Sequence, residues 1–578
     1  MNVISLMKKN ILSVIKETLN CSKKPFDKLR ANGLTKNGLA NVDEKLLNAI
    51  QVNLNVDKGS EHGDISCNAA LIIAKQGERD GGRANPREVA EKIKDALLQN
   101  KELCNDIEKI DITGPGFINL FLKKEVWLKI IEQLSVDTNN FFALEKDEEP
   151  KKYLVEYVSA NPTGPLHLGH GRGGMIGDVL SNILSFIGHT VHREFYINDV
   201  GNQIKKLGQS FKIRCQQELG QEVPFLEDGY AGQYLIDLAK KFVAEHGEKV
   251  LENSDEFFAE YAKKEMLALL KQTLDGYGVQ FDEWFSEKSL ADSGAVAEAI
   301  EELRKKDLVY DKDDALWFKS TQFGDEKDRV IVKKGGVLTY IASDIAYHKN
   351  KFERGYDFAI NMWGQDHHGY VTRLKATMEA LGFDKERLHV ILFQMVSIKK
   401  NDAYVKMSKR AGNVTELADV VKTVGKDVAR FFYLNRKAEA HLDFDLETAL
   451  KKTEENPVYY IQYAYVRIGS VIKKAEGAIS KGAYTHIEHL AAGEINLLKK
   501  ICNLESLLKT ISKSYQTHLL AYYTLELAKS FHSYYNANKI IDVENIPVSQ
   551  MRLLIVGLVR KTLGQCLDLL GLSKPEKM

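Results

Sequence analysis

Lys152-Tyr-Leu-Val-Glu-Tyr-Val158 is a short run of β-forming residues, and Ala160-Asn-Pro-Thr-Gly-Pro-Leu-His-Leu-Gly-His170 follows it as a loop. Behind the loop, Met175, Ile176, Val179, Leu180, Ile183, Leu184 and Ile187 recur at helical spacing, and Gly188 stands where a helix would end. Thr190–Ile197 then reads as a second strand. Strand, helix and strand in that order predict a parallel βαβ unit, because parallel neighbours need a crossover. The loop therefore falls at the carboxyl end of a parallel strand, where open α/β sheets bind ligands.

The chemistry of the loop fits a phosphate. His167 and His170 lie three residues apart in the first helical turn. The helix start adds unpaired N–H groups and roughly half a positive charge. Gly169 removes a side chain where a flat base could approach the backbone. As a metal site the two histidines lack a third ligand nearby.

Working outward, Phe358–Trp363 and His389–Gln394 supply later strands, with a helical Tyr370–Leu381 between them. About 130 mostly helical residues separate the early and late units, so the nucleotide fold is expected to be split by an insertion. Toward the N-terminus, Asp111–Leu122 reads as a turn followed by a strand, and Glu145–Lys152 as a charged linker. Residues 21–41 form a polar insertion between helical patterns, either simply exposed or a basic RNA contact. Toward the C-terminus, 451–578 reads as helix throughout.

A chain of 578 residues exceeds one hydrophobic core. We expect three domains, at 1–147, 148–440 and 441–578. With 80 Lys+Arg against 80 Asp+Glu and 44% hydrophobic residues, the chain is neither disordered nor bound to nucleic acid by bulk positive charge. The balance is local, since 451–578 carries 14 Lys and 3 Arg against 11 acids. The six cysteines include no C-x-x-C pair, which suits free thiols in a reducing cytoplasm rather than zinc or disulfides. Ile4, Ile11 and Ile15 fall on a helical stripe, but Lys8-Lys9 breaks any signal-peptide apolar core, and the longest apolar run near the C-terminus is too short to span a membrane.

The second chemical motif is Lys406-Met-Ser-Lys-Arg410, 236 residues beyond His170. Two lysines in a Gly- and Asn-rich loop suit a triphosphate on which charge develops. Together the motifs resemble those of the class I aminoacyl-tRNA synthetases. Val155-Glu-Tyr-Val-Ser-Ala-Asn-Pro-Thr-Gly164, Tyr196-Ile-Asn-Asp-Val-Gly-Asn-Gln203, Asp344-Ile-Ala-Tyr-His348 and Trp363-Gly-Gln-Asp-His-His-Gly-Tyr370 narrow the resemblance to arginyl-tRNA synthetases of the bacterial type. His441-Leu-Asp-Phe-Asp445 and the Tyr-rich stretch from Glu455 to Arg467 extend it.

The resemblance implies a multidomain α/β protein. A Rossmann-like catalytic domain split by a helical insertion would lie between an α+β N-terminal domain and an all-α anticodon-binding domain. It implies ATP, carried with Mg²⁺, L-arginine and tRNA(Arg) as substrates, no tightly bound cofactor or zinc, and a monomer. His167, His170, Lys406 and Lys409 would stabilise charge at the α-phosphate. Leu168, Gly169, Gly364, Asp366, Met407 and Ser408 would bind ATP. Glu156, Asn161, Tyr340, Asp344 and Gln365 would select arginine, and Tyr340 and Asp344, four residues apart, could face one pocket. Asn68, Tyr459, Tyr463 and Arg467 would meet tRNA. Asn198, Asp199 and Gln203 recur in a family string without a derivable role.

Rival readings are another class I synthetase, a small-cofactor nucleotidyltransferase, or a non-catalytic tRNA-binding scaffold. The gap of 236 residues leaves little room for a large editing domain. A nucleotidyltransferase has no need of the basic tail, and a scaffold has no need of intact His167, His170 and Lys409.

Overall fold

The centre of the molecule is a five-stranded parallel sheet, seen in a computed structural model. The structure describes residues 3–20, 44–56, 60–79, 85–136, 142, 149–400, 403–404, 416–476 and 490–578. The insertion read at 21–41 and the lysine loop, with Lys406, Met407, Ser408 and Lys409, lie outside the described residues.

The sheet is built from β1 (Lys152–Glu156), β2 (Thr190–Ile197), β3 (Glu283–Ser286), β4 (Phe358–Gly364) and β5 (Leu388–Phe393), in the order β5-β4-β1-β2-β3. Every pairing is parallel. The connecting helices are α1 (Leu168–Phe186) from β1 to β2 and α3 (His368–Leu381) from β4 to β5, with α2 (Tyr340–Glu353) leading into β4. The βαβ unit expected from the sequence is therefore present, with β2 spanning the residues expected for it. Val155, Val179, Leu180, Ile183 and Leu184 are all fully buried in one cluster of strand and helix side chains. Each such side chain contributes about 1.5–3 kcal/mol relative to exposure.

Glycines bring α1 unusually close to its neighbours. A Cβ on Gly177 would stand 2.4 Å from the Tyr157 ring, and one on Gly171 would stand 2.5 Å from Leu417. These separations are shorter than any real carbon contact, so only glycine seats the helix start against the sheet edge.

The insertion after β2 is helical for most of its length but carries a small sheet in its second half. The helices Asn202–Glu218, Gln233–His246 and Asp255–Tyr277 share a core of Leu207, Phe211, Leu235, Phe242, Phe258 and Met266. Beyond β3, however, Val309–Lys312, Ala315–Phe318 and Arg329–Val332 form an antiparallel meander. Its four-residue strands are too short for alternation to stand out against charged neighbours. The tight turn uses Asp313 and Asp314, both at positive φ, a conformation Asp tolerates better than most residues.

On the N-terminal side, a four-stranded antiparallel sheet packs with the helix Val3–Asn20. The stretch read as turn and strand is its hairpin, Ile107–Thr113 and Phe117–Leu122. On the C-terminal side stand the helices Pro457–Ala475, Ala492–Ser514, His518–Ala537 and Ile546–Leu570. These two outer units meet through Lys499 to Asp64 at 2.7 Å and Ser5 to Glu505 at 2.6 Å. Among the described residues, no helix is long and apolar enough to cross a membrane.

Two fully buried arginines fasten α1 to its surroundings. Arg172 donates to the carbonyls of Gln394 at 2.9 Å and Lys437 at 2.7 Å. Arg430 donates to Asp178 on α1 at 2.5 Å and to the carbonyls of Tyr277 at 2.8 Å and Leu570 at 2.9 Å. Tyr277 and Leu570 each end a helix, so one guanidinium satisfies two helix C-termini and a carboxylate.

Candidate active site

From β1 the chain crosses through α1 to β2 on one side. From β4 it crosses through α3 to β5 on the other. The order thus reverses between the neighbours β1 and β4, and a crevice opens at their carboxyl ends. Glu156 ends β1, Gly364 ends β4 and His167 caps α1, so three expected site positions meet there.

The two histidines cap each other's turn. His167 Nδ1 accepts from the Gly169 N–H and His170 Nδ1 accepts from the His167 N–H, both at 3.1 Å. Their rings stack 3.7 Å apart. A neutral imidazole that accepts at Nδ1 carries its proton on Nε2. Both rings therefore carry their protons on Nε2, beside a helix N-terminus.

The ends of the lysine loop are tied to this motif. Its far side forms a bridge between Glu416 and His167, with the Leu417 N–H donating to the Leu166 carbonyl at 2.7 Å. Its near side leaves the strand Val396–Lys400, which pairs with Ala403–Tyr404. Glu416, six residues beyond Arg410 in sequence, is thus a neighbour of His167 in space.

Beside the crevice lies an acidic, tyrosine-lined recess. Asp344, on α2, keeps some solvent access and accepts a short hydrogen bond from the Tyr370 hydroxyl. Burial pushes its carboxyl up to about 7; the Tyr370 hydroxyl opposes this, the carboxylates of Glu156 and Glu287 add to it, and Lys351 opposes. Burial also raises the Glu287 carboxyl, against hydrogen bonds from Ser343 and Tyr196. Carboxyls crowded in this way have room in their electrostatics for a cation.

The comparisons with known proteins agree along the whole chain. Residues 131–439 match the model of class I tRNA synthetases (R), catalytic domain, and 10–122 match the arginyl tRNA synthetase N-terminal domain. Residues 461–578 match the DALR anticodon binding domain. The arginine–tRNA ligase of Citrifermentans bemidjiense is 43% identical over 91% of this chain and 95% of its own. The chain belongs to the arginyl-tRNA synthetase family. The arginine–tRNA ligase of Bacillus subtilis is 42% identical over 91% of this chain and 94% of its own. A solved structure described as a putative arginyl-tRNA synthetase from Campylobacter jejuni superposes with a TM-score of 0.73 at 37% identity. It covers 79% of this chain and all of its own. The multidomain fold expected from the sequence is the family's.

The remaining expected site residues divide. Gly169, Gly364 and Gln365 line the crevice ends of α1 and β4, and Asp366 is exposed beside Gly364. Leu168 is 1% exposed, so its side chain belongs to the core. Asn161 is exposed on the loop. Tyr340 does not share the recess with Asp344, because it opens α2 at 74% exposure and points to solvent. Glu156 is engaged on both oxygens, by Lys351 at 2.5 Å and Ser159 at 2.9 Å, so it is not an open carboxylate waiting for a ligand.

In the outer units, the side-chain oxygen of Asn68 accepts from the Gln51 N–H at 2.7 Å. Tyr459 and Tyr463 stack 6.2 Å apart, and Arg467 lies 4.4 Å over the Tyr463 ring. His532 joins them, 5.8 Å from Tyr463, making a half-buried shelf of rings and a cation. Glu287, Ser159, Lys351 and Tyr370 escaped the sequence reading. Ser159 and Tyr370 lie within family strings, but nothing in the spacing marks Glu287 or Lys351.

Proposed function

We propose that the crevice activates L-arginine as arginyl-adenylate and passes it to the terminal adenosine of tRNA(Arg). The arginine carboxylate attacks the α-phosphate of ATP, forming a C–O–P bond as the bond to pyrophosphate breaks. A ribose hydroxyl then takes the aminoacyl group and AMP leaves. The Nε2–H groups of His167 and His170 stabilise the charge growing on phosphate oxygens, and Lys409 and Lys406 of the second motif add positive charge to the same end. Mg²⁺ travels with ATP as part of the substrate. Gly169, Gly364 and Asp366 hold the adenosine. The acidic recess of Asp344, Glu287 and Glu156 receives the guanidinium, and Gln365 and Asn161 border it. Tyr340 reaches the substrate by turning in from solvent.

The observation that carries this reading is the reciprocal histidine cap at the strand-order reversal, beside a recess in which burial raises the carboxyls of Asp344 and Glu287. Among the described residues, four free cysteines are buried, Cys502 and Cys566 included, as suits a reducing, cytoplasmic setting. The Tyr459, Tyr463 and Arg467 shelf supplies faces for splayed anticodon bases. The domain limits near 147 and 440 and a monomeric state belong to the same proposal.

Aminoacylation of total tRNA with each labelled amino acid tests it. Arginine alone should be charged, and ATP–pyrophosphate exchange should be negligible until tRNA is added. Charging of another amino acid would overturn the substrate, and full exchange without tRNA would overturn the order.

A pH dependence follows from Asp344. Protonated, it cannot pair with a guanidinium, and its carboxyl titrates at about 7. As pH falls below that value, KM for arginine should rise by about tenfold per unit. The measurement is KM at fixed saturating ATP and tRNA between pH 5.5 and 8.5, with those ranges taken as roughly the window around neutrality. A KM flat across it would remove Asp344 from guanidinium binding.

A further inference from the structure

Beneath the recess lies a lysine for which the reaction as described has no use. Lys351 is fully buried, and its Nζ donates to Glu156 Oε2 at 2.5 Å and to Asn361 Oδ1 at 2.9 Å. It also sits 4.2 Å over the ring of Tyr347. An ammonium has three donors, and here two meet oxygens while the third side faces a π-cloud.

The hydrogen bonds around it run in one direction only. His348 Nδ1 lies 2.9 Å from the Asp344 carbonyl, which can only accept, so Nδ1 carries the proton. His348 Nε2 is then the acceptor, and takes the Asn361 amide N–H at 2.7 Å. Burial, reinforced by the charge of Lys351, holds His348 far below the usual imidazole range, so it stays neutral. The amide of Asn361 is thereby locked with its oxygen toward Lys351. A flipped amide would set two donors against the ammonium.

Glu156 is gripped from its other side as well. Ser159 Oγ donates to Glu156 Oε1 at 2.9 Å while accepting from the Tyr196 N–H at 3.1 Å. To reach that place the chain makes a three-residue turn about Val158, with the Ser159 N–H bonding back to the Tyr157 carbonyl at 3.0 Å. Val158 and Ser159 have φ of 69° and 42°, values a β-branched residue rarely adopts. Strain of this kind persists where surrounding structure enforces it, and here it aims one hydroxyl at one carboxylate.

We propose that Lys351 determines specificity, by filling from within the protein the ammonium position beside Glu156, so that a substrate must bring the forked donors of arginine. A substrate lysine offers one nitrogen with three donors in a narrow cone. It meets a Glu156 already neutralised and held from both sides. A guanidinium spreads five N–H groups over a plane and can span Asp344, Glu287 and the remaining lone pairs of Glu156. Residues of α2 thus divide the labour: Asp344 faces the substrate and Lys351, two turns on, occupies what a smaller cation would use.

The inference rests on the recess being the arginine site, and the experiment separates the two. In aminoacylation with saturating tRNA and ATP, kcat/KM is measured for arginine and for lysine. Lys351→Met keeps the side-chain volume and removes the charge. It should lower the arginine-to-lysine ratio by about tenfold or more, chiefly through a lower KM for lysine. Should that variant fail to fold, Ser159→Ala loosens the same carboxylate without touching a buried charge, and should lower the ratio by about threefold. In wild-type enzyme, Asp344→Asn should raise KM for arginine whatever Lys351 does. An unchanged ratio in a folded Lys351→Met or Ser159→Ala variant, with Asp344→Asn still raising KM, overturns the role of Lys351 alone. If Asp344→Asn leaves KM for arginine unmoved, the recess itself is misassigned.

Discussion

His167→Asn is expected to leave the protein as stable as before and to slow arginine activation on the order of 10²–10³-fold. The two effects separate because His167 has two jobs on two nitrogens. Its Nδ1 caps the start of α1 by accepting from Gly169, and its Nε2 carries the proton presented to the crevice. Asparagine is among the best N-cap residues, so its side-chain oxygen takes over the first job. It does not extend as far as Nε2, so the second is lost. His167→Ala should lose both, with about 1 kcal/mol of stability gone as well as the rate. The checks are kcat for aminoacylation and the thermal midpoint of each variant. An Asn variant of normal kcat would show that His167 serves the helix and not the phosphate.

Arg430→Met is the second large effect. It should destabilise the protein by about 3–5 kcal/mol, because it strands the Asp178 carboxylate in the interior with no counter-charge. Two helix ends, at Tyr277 and Leu570, lose their donor at the same stroke. Pairing the change with Asp178→Leu should recover a large part of the loss, since an apolar replacement of a whole buried pair is often neutral. Denaturant midpoints for the single and double variants measure this. A single variant within about 1 kcal/mol of wild type would mean that water reaches the pair. Gly571 sharpens the expectation, because a Cβ there would fall 2.3 Å from the Arg430 guanidinium.

Local chemistry was legible in the sequence, and distant pairing was not. The strand, cap and helix from Lys152 to Ile197 could be read because their signals lie within a few residues of one another. The His-Leu-Gly-His motif gained its meaning from that same local frame. By contrast, Lys351 and Arg430 sit in charged, helical-looking text and resemble surface residues. Their partners lie 195 and 252 positions away, and only the fold brings them together. Glu156 is assigned to arginine by the family resemblance, and nothing in the spacing identifies Lys351 as its partner. Tyr340 and Asp344 share a helical face by spacing, yet Tyr340 stands at the very start of α2, where one turn of helix separates solvent from recess. Glu287 was missed because a glutamate opening a helix is ordinary, and its burial beside Tyr196 depends on β2 and β3 lying side by side.

The partners of Arg430 come from residues 178, 277 and 570. A chain emerging from the ribosome offers the first two early and the third more than 100 residues after Arg430 itself. Until residue 570 is made, the guanidinium that steadies α1 lacks one of its acceptors, and so the helix bearing both histidines lacks part of its anchor. Synthesis of the anticodon-side helices therefore completes the seat of the catalytic helix, and a chain cut short before them would carry its histidines on an unfinished mount.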